Sequence, residues 1–181
     1  ETIYLRLPEV KWQADSGQDA IIVRIETDAG ITGIGEVDSS PMGVRGVIDG
    51  PYSHAITCGL GHLIVGEDPF ETEKLWYKMY QANVYAGRFG IAIHAMSGID
   101  MALWDIKGKA LRQPIWKLLG GGFHEKIRCY ASSLFGSTPE ATGELARRFR
   151  GRGFNAVKFG WAPMGRDEAT DIGLVREGRK G

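Results

Sequence analysis

The sequence predicts an α+β domain over residues 1–121, followed by the opening of a parallel βα array over residues 122–181. Three observations predict it. Alternating apolar runs near the start, two of them joined by Asp28-Ala29-Gly30, read as a three-stranded antiparallel meander. The stretch from Ala95 to Gly120 repeats small and apolar residues at steps of three and four, as a buried helix does. After Gly122 the pattern changes to strand, helix, strand, helix, the rhythm of parallel βα units.

The elements follow in order. Ile3 to Leu7 alternates as a strand, and Pro8 to Asp19 is a polar loop holding one large aromatic, Trp12. Ala20 to Thr27 and Ile31 to Val37 form a hairpin, with Gly30 supplying a positive φ in the turn. Ser39 to Gly50 shows neither helical nor strand period and is expected to be a mobile loop, whereas Pro51 to Ile64 is expected to be a helix. Asp68-Pro69-Phe70-Glu71 has the form of a helix start: Asp68 at the N-cap, Pro69 at the first helical position and Glu71 completing a capping box. That helix is expected to run through Leu75, Trp76 and Met79 to Asn83, with Val84 to Gly90 as a loop.

The long helix that follows carries Ile91, Ala95, Gly98, Ala102, Ile106 and Ala110 on one stripe. Its Gly and Ala positions let another backbone approach to the short end of the ~8–10 Å interaxial range. Asp105 and Lys109 lie on the other face, an acid four residues before a base. Pro114 stops the helix, a short amphipathic turn follows, and Gly120-Gly121-Gly122 ends the domain. Beyond it, Ile127 to Ser132 is expected to be a strand, and Thr138-Pro139-Glu140 opens a helix that carries Leu145 and Phe149 inward. Phe154 to Phe159 is a second strand, and Asp167 starts a second helix with Ile172 and Val175.

Bulk properties narrow the function classes. The 181 residues carry 22 Lys and Arg against 22 Asp and Glu, so no net charge recommends nucleic acid or an anionic membrane as a partner. No apolar run approaches the ~18 residues of a membrane span. Cys58 and Cys129 are isolated, which suggests neither a disulfide framework nor a zinc site and fits a reducing, cytoplasmic location. The first residue, Glu1, lies in the first expected strand with no Met or leader before it, so a removed targeting peptide stays open.

The residue string is more specific than its periodicity. Ile99-Asp100-x-Ala102-Leu103-x-Asp105, then Gly108-Lys109, then Pro114-Ile115-x-x-Leu118-Leu119-Gly120, resembles a signature of the mandelate racemase/muconate lactonizing enzyme group of the enolase superfamily. The resemblance implies that residues 1–121 are the capping domain of that superfamily and that residues 122–181 begin its (β/α)8 TIM-type barrel. Such a barrel takes ~250 residues, roughly 31 per unit, so the last ~60 residues supply two units of eight. The expectation is therefore the front of a chain of roughly 370 residues. An autonomous protein of this length is the alternative.

The resemblance also implies a chemistry: removal of the proton α to a carboxylate, with Mg²⁺ stabilising the enediolate. Three carboxylate ligands are implied at the ends of the third, fourth and fifth barrel strands, so no metal ligand is expected in this sequence. The group often carries Lys-x-Lys at the end of the second strand. Lys158 matches the first lysine, which in relatives sits beside the substrate carboxylate, but Gly160 stands in the second slot and cannot act as a base. That departure favours a sugar-acid dehydratase, its base on a later strand, over lysine-dependent racemases, epimerases or cycloisomerases. A non-catalytic cap module is the alternative from another class, and a surface lysine is the structural alternative for Lys158. Trp161, in the loop after that strand, is a candidate substrate contact or a wall of the pocket. Trp12 is a candidate substrate contact, since its loop folds over the barrel mouth in relatives; otherwise it covers the cap's own core. Lys11 and Arg45 could meet a polyhydroxy acid or simply be solvated. His54, His62, His94 and His124 are scattered and read as structural, as do Asp100 and Asp105 on the long helix. The partners implied are a small carboxylic acid and further copies of the chain in a homo-oligomer, with neither nucleic acid nor membrane.

Overall fold

The computed structural model describes residues 1–6 and 19–181, and the chain divides into two compact units, Glu1–Gly122 and Phe123–Gly181. Trp12 and Lys11 lie outside the described residues.

The first unit opens with the expected meander. Strands β1 (Thr2–Leu5), β2 (Ala20–Glu26) and β3 (Thr32–Val37) pair antiparallel in that order, with Thr2 across from Val23 and Val23 across from Gly35. The β2–β3 turn closes at Gly30, at φ 75°, whose N–H donates to the Thr27 carbonyl at 3.0 Å. Alternation then sorts the faces: Ile21 and Val23 of β2 and Gly33, Gly35 and Val37 of β3 are buried.

The next segment corrects the sequence reading. Pro41–Asp49, expected to be a mobile loop, is helix α1, and it buries Val44 and Ile48 in the core. Of the helix expected over Pro51 to Ile64, only the single turn α2 (Gly61–Ile64) forms. The rest doubles back, because the Gly59 N–H donates to the Gly50 carbonyl at 3.1 Å and a Cβ at Gly59 would strike the backbone of Gly50. Helix α3 (Thr72–Ala82) starts four residues later than its apparent N-cap. Asp68 instead makes a turn of its own, its carboxylate accepting from the Phe70 N–H at 2.8 Å. Glu71 pairs with Lys74 at 2.5 Å rather than reaching back as a capping box.

Helix α4 (Ile91–Leu111) is the centre of this unit, packed on β2 and β3 on one side and on α1 and α3 on the other. Ala95, Gly98, Ala102 and Ile106 of the expected stripe are buried; Ile91 and Ala110, at its two ends, are exposed. The approach to β3 is backbone to backbone. A Cβ on Gly33 would strike the Ala102 carbonyl, and one on Gly35 the Gly98 carbonyl. Asp105 and Lys109 form the expected pair at 2.6 Å, yet they also face the sheet. The Asp105 carboxylate accepts from the Ile34 N–H at 2.9 Å, and the Lys109 ammonium donates to the Thr32 carbonyl at 2.8 Å. Edge strand β3, with which no further strand among the described residues pairs, is thus closed by side chains of α4. The one-turn helix α5 (Ile115–Leu118) ends at Gly120 and Gly121, both with positive φ.

The second unit runs β4 (Ala131–Leu134), α6 (Pro139–Gly151), β5 (Val157–Gly160) and α7 (Glu168–Lys180). The two strands pair in parallel, with Ala131 across from Val157 and Leu134 across from Gly160. β4 begins four residues later than its apolar pattern suggested because its ladder with β5 is four residues long, and Ile127 and Tyr130 stay exposed. Both helix starts behave as expected. Thr138 caps α6 by accepting from the Ala141 N–H, and Asp167 caps α7 by accepting from the Thr170 N–H at 2.8 Å. The inward residues differ from expectation: Thr142, Gly143, Ala146 and Leu174 are buried, Leu145 and Phe149 half-buried, and Ile172 and Val175 exposed. The α6–α7 contact explains this, because at Gly143 even a Cβ would come within 3.1 Å of the Glu177 carbonyl.

Candidate functional site

The short parallel pair sorts its side chains by chemistry. Phe159 of β5 turns toward the helices, stacks on Phe135 at 5.5 Å between ring centroids, and lines a cavity of about 560 Å³ with Ala146, Leu174 and Gly178. Its charged rim residues are Arg150 and Arg179, with no carboxylate, thiol or imidazole among the lining groups. Lys158 and Gly160 alternate to the other face. Ser132 lies directly across the ladder from Lys158, so an ammonium and a hydroxyl share one exposed face. Sequence reasoning missed Ser132, since its place beside Lys158 depends on strand register, which periodicity within one strand does not carry.

Trp161 follows β5 at once, with φ 62°, and the residue is 60% exposed. The Lys158 ammonium lies 5.5 Å from the centroid of that ring, within the range of a cation–π contact. The structure therefore places Lys158 and Ser132 side by side on the β4–β5 pair and Trp161 just past the C-terminal end of β5, the end at which barrel enzymes assemble their active sites. What this arrangement offers chemically is a fixed cation with a neighbouring hydroxyl donor, suited to gripping a carboxylate.

The other sequence candidates lie elsewhere. Arg45 pairs with Asp49 along α1. His62 packs edge-on against Tyr52 and His124 against Phe123. Cys58 and Cys129 are free thiols. Asp105 is engaged with the β3 edge. Asp100 is half-buried beside α3; its carboxyl is held above the usual aspartate range by burial first and by the Glu73 carboxylate second, with Lys107 opposing. Asp167 is held below that range, chiefly by the Thr170 N–H it caps.

A divalent cation needs several oxygen ligands converging on one point. Among the described residues no three Asp, Glu, His or Cys side chains gather closely enough to hold a metal ion, so the residues present do not fit a Mg²⁺ site. No helix of the described residues is long and apolar enough to cross a membrane.

Comparison with known proteins identifies the family. Residues 8–120 match the family model for the mandelate racemase / muconate lactonizing enzyme N-terminal domain. The D-galactonate dehydratase of Klebsiella pneumoniae (strain 342) is 39% identical over 141 residues, which are 77% of this chain and 34% of that protein. The crystal structure of a "predicted mandelate racemase" from Rhodobacter sphaeroides superposes with a TM-score of 0.83 at 36% identity, covering 100% of this chain and 46% of that one. A racemase from Streptomyces coelicolor A3(2), solved with bound magnesium, gives 0.76 at 32% identity, covering 99% of this chain and 49% of that one. The chain spans about a third of the length of the curated relatives it matches. A three-stranded meander backed by helices, a family model matching 8–120, and dehydratase and racemase relatives across both units lead to one assignment: the chain belongs to the mandelate racemase/muconate lactonizing enzyme group of the enolase superfamily, whose N-terminal capping domain it carries.

Proposed function

We propose that residues 1–121 are the cap and residues 122–181 the first two strand–helix units of the (β/α)8 barrel of a Mg²⁺-dependent enzyme. The reaction is removal of the proton α to the carboxylate of a sugar acid followed by loss of the β-hydroxyl, which makes the protein a hydro-lyase. The observation that carries this reading is Lys158 on β5 with a glycine two residues on, at the strand's C-terminal end. Lys158 holds the substrate carboxylate by charge and fixes the direction in which the α-proton points. Gly160 offers no proton acceptor, so the base comes from another strand, as a dehydratase of this group uses. The described residues do not fit the metal, and its ligands are assigned to the part of the relatives' length that this chain does not span. The relatives named D-galactonate dehydratase make that acid the first to assay. The free thiols of Cys58 and Cys129 suit a cytoplasmic location, and the exposed Tyr77, Tyr85 and Phe89 offer apolar surface for a homo-oligomer.

The test uses the full-length protein with Mg²⁺, D-galactonate and a panel of aldonic and aldaric acids. Keto-acid formation is read by colorimetry and α-proton exchange by NMR in deuterated water. Keto-acid formation is expected, and Lys158→Ala lowers kcat/KM by about 100-fold. The solved relatives named racemases favour a second reading, racemisation, epimerisation or cycloisomerisation, which exchange without elimination would establish. Neither exchange nor elimination with any acid would leave the non-catalytic module.

A further inference from the structure

We propose that Trp161 is a positioning residue, whose indole face holds the Lys158 ammonium where Lys158 meets the substrate carboxylate; this rests on the role given to Lys158 above. Two independent features of the backbone support it. Side chains alternate along β5, so in an extended continuation Trp161 would fall on the face of Phe159, away from Lys158. Trp161 instead adopts φ 62°, a left-handed conformation that a bulky aromatic residue seldom takes. That turn leaves the ring 5.5 Å from the ammonium. Strain of this kind persists only where surrounding structure over-determines it, and it collects at functional sites.

The second feature is Gly160. Its φ is not in the left-handed region, so no left-handed turn calls for a glycine there. What the glycine does is leave open the slot beside Lys158 that a second lysine would fill. Among the described residues the Lys158 ammonium has the π face of Trp161 as a partner. Such a contact restrains a flexible four-carbon stem that would otherwise sample many rotamers.

The experiment uses the full-length protein with its lysines reductively ¹³C-dimethylated, which preserves their charge. In the ¹H–¹³C spectrum the Lys158 methyl signal, identified by its disappearance in Lys158→Arg, is expected upfield of the other lysines through the indole ring current. It moves to the position of a solvated lysine in Trp161→Leu and remains partly shifted in Trp161→Phe. On unmodified enzyme, Trp161→Leu raises KM for the acid turned over by about three- to tenfold, with kcat within about twofold, and Trp161→Phe restores most of the loss. An unshifted Lys158 signal in the wild type, or a Trp161→Leu enzyme with unchanged signal and KM, overturns the inference. A shifted signal in a protein that turns over no acid removes the proposed function and leaves the contact. An unshifted signal in an active enzyme removes the contact alone.

Discussion

Replacing Gly35 by Ala is expected to be among the most damaging single-methyl additions in the cap. The added Cβ would fall on the Gly98 carbonyl oxygen, 2.9 Å from its carbonyl carbon and 3.2 Å from the Ala102 nitrogen. Carbon atoms pack at about 3.5–4.0 Å, so α4 must retreat from β3 by on the order of 1 Å. The obstacle is helix backbone rather than the end of a flexible side chain, and α4 is also fixed on its far side by α1 and α3. A retreat therefore loosens the contacts of Val23, Val37, Ile99 and Leu103 together. Overpacking of a core costs about 1–3 kcal/mol, and a backbone collision belongs at the upper end, about 3 kcal/mol. Two other substitutions are expected to fall below that figure. A Cβ on Gly98 meets the side chains of Val37 at 2.6 Å and Val23 at 3.1 Å, which can yield in part, so Gly98→Ala costs about 1–2 kcal/mol. Gly46, exposed inside α1, has nothing within 4 Å, and Gly46→Ala gains about 0.5–1 kcal/mol. Urea titration of the three variants followed by tryptophan fluorescence reads the order, with the Gly35→Ala midpoint lower by on the order of 1 M. A Gly35→Ala midpoint equal to wild type, or above that of Gly98→Ala, would refute the close backbone contact.

Three further substitutions probe separate contacts. Asp105→Ala removes the acceptor of the Ile34 N–H and the partner of Lys109, and costs about 1 kcal/mol in the same titration; an unchanged midpoint would mean that solvent serves the β3 edge equally well. Asp100 has its folded pKa raised above the unfolded value, so its contribution favours the fold at low pH and is lost as pH rises through the folded pKa. Asp100→Asn therefore stabilises at pH 7 by a few tenths of a kcal/mol, after allowance for solvent screening, and the gain disappears toward pH ~3, as thermal melts at the two pH values would show. In residues 1–181, Gly160→Ala raises stability by about 0.4–1 kcal/mol, because its Cβ meets none of the described atoms within 4 Å; a loss in the same melts would mean that the strand end needs a glycine after all.

What could be read from the sequence divides by the range of the forces involved. The β2–β3 hairpin, the Thr138 and Asp167 caps and the buried middle of α4 are set by neighbours within a few residues, and periodicity and capping chemistry found them. Helix α1 was hidden because Gly43 and Gly46 each lower its intrinsic propensity by about 1 kcal/mol relative to alanine. Packing of Val44 and Ile48 into the core overrides that deficit. The converse error over Pro51 to Ile64 came from apolar spacing that a helix would use, in a segment whose course is set by the backbone contact of Gly50 with Gly59. Asp105 shows the same limit on a single residue. Its link to Lys109 is visible four residues away, but its grip on the Ile34 amide spans 71 positions and needs the fold.

The candidate site follows the same division, with one consequence for how a motif departure is interpreted. A glycine in the second lysine slot looks, from sequence, like a simple loss of a base. In the structure Gly160 is not demanded by a left-handed φ, and the residue one step further on adopts one next to the cation that remains. A strand end that merely lost its function would have no reason to hold a large aromatic in that conformation against the exposed Lys158, with the Ser132 hydroxyl across the ladder. On the proposed function, the base lies on another strand and Lys158 keeps the substrate carboxylate, with the Trp161 ring beside it where a second lysine would otherwise stand.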